Sequence, residues 1–245
     1  MNIIPIKTHK ITSSDKNILN ILDRYLPKLN EKTILAVTSK IVSITEGRTL
    51  EIGSIDKKKL IQKEADWYID EETQYGHTLT IKDYILLPSA GIDESNGKGR
   101  YILWPKNPQK SANLIRSYLK RKFRLKDIGI IITDSKTTPL RWGVTGVCVA
   151  YSGFFALNDF IGRPDLFGYI LKATKVNIAD ALATAAVVVM GESVEQTPLG
   201  IISDVPFVRF NKNDPTKKEI DAYHIEMKDD LFAPILTKTN WKRSH

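Results

Sequence analysis

Two clusters of oxygen-bearing side chains are the residues best suited to chemistry. Asp93, Ser95 and Asn96 lie in the glycine-rich stretch SAGIDESNGKG (residues 89–99), and Asp134 and Ser135 follow the apolar run IGIIIT (residues 128–133). Carboxylate, hydroxyl and amide oxygens are the hard ligands that Mg²⁺ or Mn²⁺ takes, and such ions usually bridge to phosphates. The same residue types also populate turns by bonding their own backbone, so spacing alone leaves both roles open. Other chemical signatures are missing. There is no GxxxxGK[S/T] phosphate loop, no GxGxxG and no HExxH, and the four histidines (His9, His77, His224, His245) are scattered. Cys148, inside the apolar stretch VCVA, reads as a buried, inert thiol. A basic run holds Lys106, Lys110, Arg116, Lys120, Arg121, Lys122, Arg124 and Lys126, interrupted by Tyr118 and Phe123. A nucleic-acid face would use such aromatics as stacking platforms. Their spacing suits core packing instead, which leaves the charges as a solvated face and predicts no nucleic-acid partner.

The elements that must position these residues follow from hydrophobic period. Residues 16–26 carry a helical stripe that Ser14 or Asp15 could cap and Pro27 could end. Residues 33–38 (TILAVT) read as a buried strand ending at Ser39-Lys40, and residues 56–72 as a charged amphipathic helix. Strands over 79–81 and 84–87 flank a Lys82-Asp83 turn, and a short strand is predicted at 101–104. Residues 107–123 read as a helix with Ala112, Ile115 and Leu119 on its apolar face. The IGIIIT run is apolar at nearly every position, so it is predicted to be central and buried on both faces. It delivers Asp134 at its C-terminal end, where open α/β sheets place ligands. A β region at 143–151, a helix starting near Asn177 (capped by Asn177 with Asp180) and a last strand at 201–210 complete the pattern. The alternation lacks a doubly wound beat, so the expected class is α+β, with mixed sheets and packed helices in two closely associated subdomains. Residues 1–210 are expected to form the main domain and 211–245 a charged extension packed on it.

Composition narrows the setting. The 245 residues, 42% apolar and 26% charged, exclude a disordered or fibrous chain. Thirty-six Lys plus Arg against 28 Asp plus Glu give a net charge of +8, which favours an anionic partner without choosing among nucleic acid, membrane and phosphorylated ligand. One cysteine excludes an internal disulfide. No basic-then-apolar leader opens the chain, and no apolar run nears the ~18–20 residues that span a bilayer. The expectation is a cytoplasmic protein with no membrane partner.

Six ordered motifs add a resemblance. They are TSKIVSITEGR (38–48), SAGIDESN (89–96), LWPKNPQKSANLIR (103–116), ITDSKTTPLRWGVTG (132–146), NDFIGRPDLFG (158–168) and ADALATAAVVVMGESVEQTP (179–198). Together they resemble the CofE family, the coenzyme F-420-0:L-glutamate ligases. The resemblance implies formation of a γ-glutamyl amide bond between L-glutamate and a carboxylate-bearing acceptor, F-420-0 or a pteroate, through an acyl phosphate. It further implies a divalent metal (Mn²⁺ or Mg²⁺), K⁺ as a further candidate cation, GTP or ATP as co-substrate, and a homodimer. Carried onto this chain, it implies metal contacts at Asp93, Asp134, Ser135 and Glu192. Nucleotide contacts would fall at Ser39, Lys40, Asn96, Gly191 and Glu192, and Arg141 would lie near anionic substrate groups. No catalytic acid–base residue is implied.

Four departures qualify the resemblance. Ser135 replaces a usual threonine, Glu192 a usual glutamine and Ile44 a usual lysine, and the N-terminal stretch KTHKI lacks an expected Leu-Pro pair. The isoleucine removes a hydrogen-bonding contact outright. GTP versus ATP is therefore left open, as are a folylpolyglutamate synthase and a catalytically silent nucleotide- or metal-binding relative.

Overall fold

The computed structural model describes residues 1–244. Its centre is a five-stranded sheet whose strands, in spatial order, are β1 (Asn2–Ile6), β12 (Leu199–Ser203), β2 (Thr33–Thr38), β8 (Ile128–Thr137) and β9 (Val144–Ser152). Only β2 and β8 run parallel; the other neighbours are antiparallel. The two parallel strands read as unbroken apolar runs because each buries both faces. Leu35, Val37, Ile130 and Ile132 enter one core with α1 (Ile18–Tyr25), α2 (Ser39–Thr45) and α4 (Pro108–Phe123). Ile34, Ala36 and Ile131 enter the opposite core with α5 (Ile178–Met190).

A smaller unit carries the first of the two clusters. Its four-stranded sheet runs β13 (Lys242–Arg243), β4 (Trp67–Glu72), β5 (Thr78–Lys82), β6 (Ile85–Pro88). The core beside it joins α3 (Lys57–Glu64) to Ala90, Ile92, Tyr101 and Leu103. Strands β3 (Thr49–Glu51) and β7 (Arg100–Ile102) form a ribbon, as do β10 (Leu157–Asp159) and β11 (Lys175–Asn177). Two short helices, α6 (Lys217–Tyr223) and α7 (Ala233–Leu236), follow in the C-terminal segment. The fold is α+β with mixed sheets, as the element pattern predicts.

Local differences have physical causes. The helix expected over 56–72 stops at Glu64, and residues 67–72 form β4, where Trp67, Tyr68 and Ile69 favour a pleated surface. The strand expected at 201–210 is displaced to Leu199–Ser203, because Asp204 takes a left-handed φ of 54° and breaks the extension. The chain after β2 turns directly into α2. Asn17, rather than Ser14 or Asp15, caps α1 through the Leu19 N–H. The predicted Asn177 cap of α5 holds, with its side chain accepting from Asp180 N–H at 3.0 Å. In the basic run, Tyr118 and Phe123 pack on the core, yet Arg116 is not part of the solvated face: it is only 3% exposed. Among the described residues, no helix is long and apolar enough to cross a membrane.

Candidate active site

The parallel pairing of β2 and β8 brings two strand ends together. β2 hands the chain to α2, so Ser39 and Lys40 are that helix's first residues, while β8 continues past Thr133 to Asp134 and Ser135. A register shift between Ile132 and Thr133 in the β8–β9 pairing leaves Val149 as an extra residue. Bulges of this kind re-aim side chains near functional sites, and here Thr133, Asp134 and Ser135 all line one cleft. Ser39 Oγ donates to Asp134 Oδ2 at 2.9 Å, and Ser135 N–H to Oδ1 at 2.8 Å. Burial pushes the Asp134 carboxyl up to about 6. The Ser135 N–H and the Ser39 hydroxyl only partly offset this, and the negative charge of Asp93 adds to it.

Asp93 arrives from the smaller unit. After β6 the chain makes three successive left-handed residues, Ser89, Ala90 and Gly91 (φ 54°, 53° and 68°). Left-handed backbone at non-glycine residues is a cost that functional sites often carry. A Cβ at Gly91 would stand 2.2 Å from Trp104 Nε1, so only glycine lets the indole lie against this turn. Asp93 then exchanges both backbone hydrogen bonds with Ile102. Its Oδ1 accepts from Ser95 N–H at 2.6 Å, and its Oδ2 faces Lys40 Nζ at 2.6 Å. Burial raises this carboxyl, but the Lys40 ammonium and Ser95 outweigh it and hold it below the usual range. Lys40 Nζ also reaches Ser95 Oγ at 3.2 Å.

The third wall follows α5. Gly191, with φ 82°, ends the helix and turns the chain so that Glu192 Oε1 accepts from Ser135 Oγ at 2.6 Å. Asn96 Nδ2 donates across the cleft to the Ser193 carbonyl at 3.1 Å. The cleft encloses about 1190 Å³, and Ser39, Lys40, Asp93, Asn96, Asp134, Ser135, Gly191 and Glu192 all line it. Arg141 does not. It sits, exposed, in the turn between β8 and β9, away from this cleft. Ile44 is buried and lines the cleft with an apolar side chain, and the N-terminal stretch from Thr8 to Ser13 forms another part of the wall.

Several contributors are invisible to spacing. Trp104 Nε1 and Thr133 Oγ1 are buried polar atoms with no hydrogen-bond partner among the described residues. Arg48 bridges the units, donating from Nε to the Trp104 carbonyl at 3.0 Å and from Nη2 to Glu64 at 2.7 Å. No pattern in the chain foretells these contacts, because each depends on tertiary neighbours far apart in sequence.

The donor set suits a hard divalent cation. Asp134 is enclosed with neutral donors and a second carboxylate as its charged neighbour, an arrangement a cation would relieve. Among the described residues, no group of three or more carboxylate, histidine or cysteine side chains is already drawn together around one point. Lys40 stands on Asp93 where positive charge is needed.

A mixed sheet thus offers oxygen donors at the joined ends of its parallel pair, facing the acidic loop of the smaller unit across one cleft, the architecture of an α+β protein with a polar ligand site. The family model described as F420-0:gamma-glutamyl ligase matches residues 5–204, and the chain belongs to that family. It is a glutamate ligase, forming γ-glutamyl bonds. It is similar to proteins named coenzyme F420:L-glutamate ligase from several archaea. That of Methanococcus maripaludis is 36% identical over 219 residues, covering 86% of this chain and 84% of the relative. That of Methanocaldococcus jannaschii is 44% identical over 156 residues, covering 62% of this chain and 59% of the relative. The Methanothermobacter thermautotrophicus protein is 30% identical over 228 residues, 91% of this chain and 84% of the relative.

Proposed function

We propose that this ligase is nucleotide- and metal-dependent and that its acceptor is coenzyme F-420-0, as the description of its family suggests. The nucleotide's γ-phosphoryl group passes to the acceptor carboxylate, giving an acyl phosphate and a nucleoside diphosphate. The glutamate amine then attacks the acyl carbon, phosphate leaves and the amine loses a proton. Asp93, Asp134, Ser135 and Glu192 would hold a divalent cation, which when bound neutralises phosphate charge and orients the transferring group. Ser39, Lys40, Asn96 and Gly191 hold the nucleotide, with Lys40 supplying positive charge and the Asn96 amide a neutral donor. Attack by the amine asks for positioning more than for unusual acid–base power, which accords with a site lacking a catalytic dyad. The observation that carries this reading is the convergence of four chain segments, distant in sequence (residues 39–40, 93–96, 134–135 and 191–192), on one cleft of about 1190 Å³.

The test is turnover followed by mass spectrometry, with F-420-0 or dihydropteroate, glutamate, and GTP or ATP, in Mn²⁺ and in EDTA. Glutamylated F-420-0 formed only with nucleotide and metal supports the reading. Product in EDTA refutes metal dependence, and exclusive glutamylation of the pteroate refutes the acceptor.

A homodimer is the proposed assembly. Leu140 and Trp142 in the β8–β9 turn are 100% and 91% exposed, and Leu166 and Phe167 are 98% and 86% exposed. Apolar groups presented this fully mark an interaction surface. Sedimentation of Trp142→Ser as a monomer, against a dimer for the parent, supports the assembly; a monomeric parent refutes it.

A further inference from the structure

The family match ends at residue 204, yet the segment beyond it touches both units in succession. It first fastens to the central sheet. Arg116 donates to the carbonyls of Asn211 and Lys212 at 2.7 and 2.8 Å and to Asp214 Oδ1 at 2.8 Å. Tyr223, at the end of α6, donates to Asp180 Oδ1 at 2.9 Å and meets the Tyr151 ring edge-on. The next residue crosses over: the His224 ring lies flat on Tyr84, with centroids 4.6 Å apart and planes 10° apart. Tyr84 OH donates to Glu226 Oε1 at 3.1 Å. The segment ends by adding β13 to the edge of β4, with Lys242 paired to Asp70 and Ser244 N–H bonded to the Asp66 carbonyl.

The place it grips has a mechanical meaning. Asp83 and Tyr84 form the tip of the β5–β6 hairpin, with left-handed φ of 47° and 63°. The other end of β6 runs straight into the Ser89–Gly91 turn and Asp93. β6 has four residues, so the tip stands about 13 Å from that turn at ~3.3 Å per residue. A tilt of about 10° at the tip would then move the Asp93 end by roughly 2 Å, nearly a whole metal–oxygen distance. A misplacement of about 1 Å already costs about 100-fold in a positioned reaction.

We propose that the C-terminal segment is an inter-unit strap, and that Tyr84 and His224 are positioning residues which set the Asp93 loop against Asp134. The role in turnover rests on the ligase reading above; the mechanical role does not. Tyr84 is 54% exposed, so its replacement leaves the cores intact. The experiment uses full-length Tyr84→Ala, His224→Ala, the double variant and Tyr84→Phe. Hydrogen exchange is followed in residues 79–99 and 128–133, alongside kcat and KM. The strap predicts exchange in 79–99 faster by at least about 10-fold in each alanine variant, with 128–133 unchanged. It also predicts kcat/KM lower by about 10- to 100-fold, carried mainly by kcat. The double variant should be no worse than either single one, and Tyr84→Phe, which keeps the ring stack, should recover most of the loss. Unchanged exchange in 79–99 overturns the proposal, as does equal acceleration in 128–133, which would mean general destabilisation. If the parent shows no ligase turnover, the exchange pattern still decides the strap, and the fault lies with the functional reading.

Discussion

Replacing Gly146 with alanine should damage the fold and the site together. Gly146 lies directly opposite Ser135 in the β8–β9 ladder. Helix α5 crosses so closely there that an added Cβ would stand 2.5 Å from the Ala183 carbonyl oxygen and 2.8 Å from the Thr184 Cα. These are backbone atoms, so no side chain can swing away. Relief to an ordinary 3.4 Å contact requires α5 to retreat by about 0.9 Å. The retreat stretches the bond from Thr184 Oγ1 to the Gly146 carbonyl, now 2.8 Å. Overpacking of this kind costs about 1–3 kcal/mol, and the weakened bond adds up to about 1 kcal/mol. For a chain of 245 residues each kcal/mol lowers Tm by about 2–4 °C, so a fall of about 2–16 °C is expected. The displaced helix also carries Gly191 and Glu192, so the Glu192–Ser135 hydrogen bond should break and kcat/KM should fall by about 10- to 100-fold. Thermal unfolding and steady-state kinetics on one preparation provide the assay. A midpoint within about 1 °C of the parent would refute the packing argument.

Three further substitutions probe other parts of the molecule. Asp134→Asn should abolish activity yet stabilise the metal-free protein at pH 7 by about 2–3 kcal/mol, since a carboxyl raised to about 6 when folded weakens the fold as pH climbs from about 4 to 6; equal stability of the two proteins in EDTA at pH 7 would count against this. Glu64, with Arg48 at 2.7 Å and Lys82 at 2.8 Å, is held below its usual range by these cations in spite of burial. Glu64→Gln should cost about 2–4 kcal/mol at pH 7, in a difference that begins to narrow below the ordinary carboxylate value of 4.5 and is lost as pH falls through the lowered native range; urea titrations at pH 7 and in acid measure it. Arg116→Met should cost about 3–5 kcal/mol, because Asp214 and two carbonyls lose their shared donor; a urea midpoint unchanged from the parent would contradict that role.

Much of the central scaffold could be read from the chain because its signals are local. TILAVT and IGIIIT are long enough in apolar residues to demand burial on both faces, and Asp134 follows from where the second run ends. Asn177 announces the start of α5 with a side chain that can reach only its own helix. Helix α2 is different: SKIVSIT is rich in β-branched residues and looks like more strand, and it is helical because Ile41, Val42 and Ile44 are buried in the assembled fold. The charges on 56–72 mimic an amphipathic helical period as far as Glu72, whereas pairing with β5 makes residues 67–72 a strand. At the site, Asp93 and Asp134 are legible as residue types, but their approach is not, since 41 positions separate them and the bulge at Val149 leaves no mark in composition. Arg141 shows the reverse: a motif locates it, and the fold puts it in an exposed turn.

The pairing of β1 with β12 sets when this sheet can be completed. Asn2 lies opposite Ser203, and β12 is wedged between β1 and β2, so the first strand has no neighbour until almost the last one has been made. At about 5–20 residues per second, translation holds β1 and one edge of β2 unpaired for roughly 10–40 s. Closing so long a loop is slow even once the chain is free. During synthesis the nascent protein therefore displays two open strand edges, and its passage to the native state is guarded against aggregation by whatever shields those edges before Leu199–Ser203 slots into place.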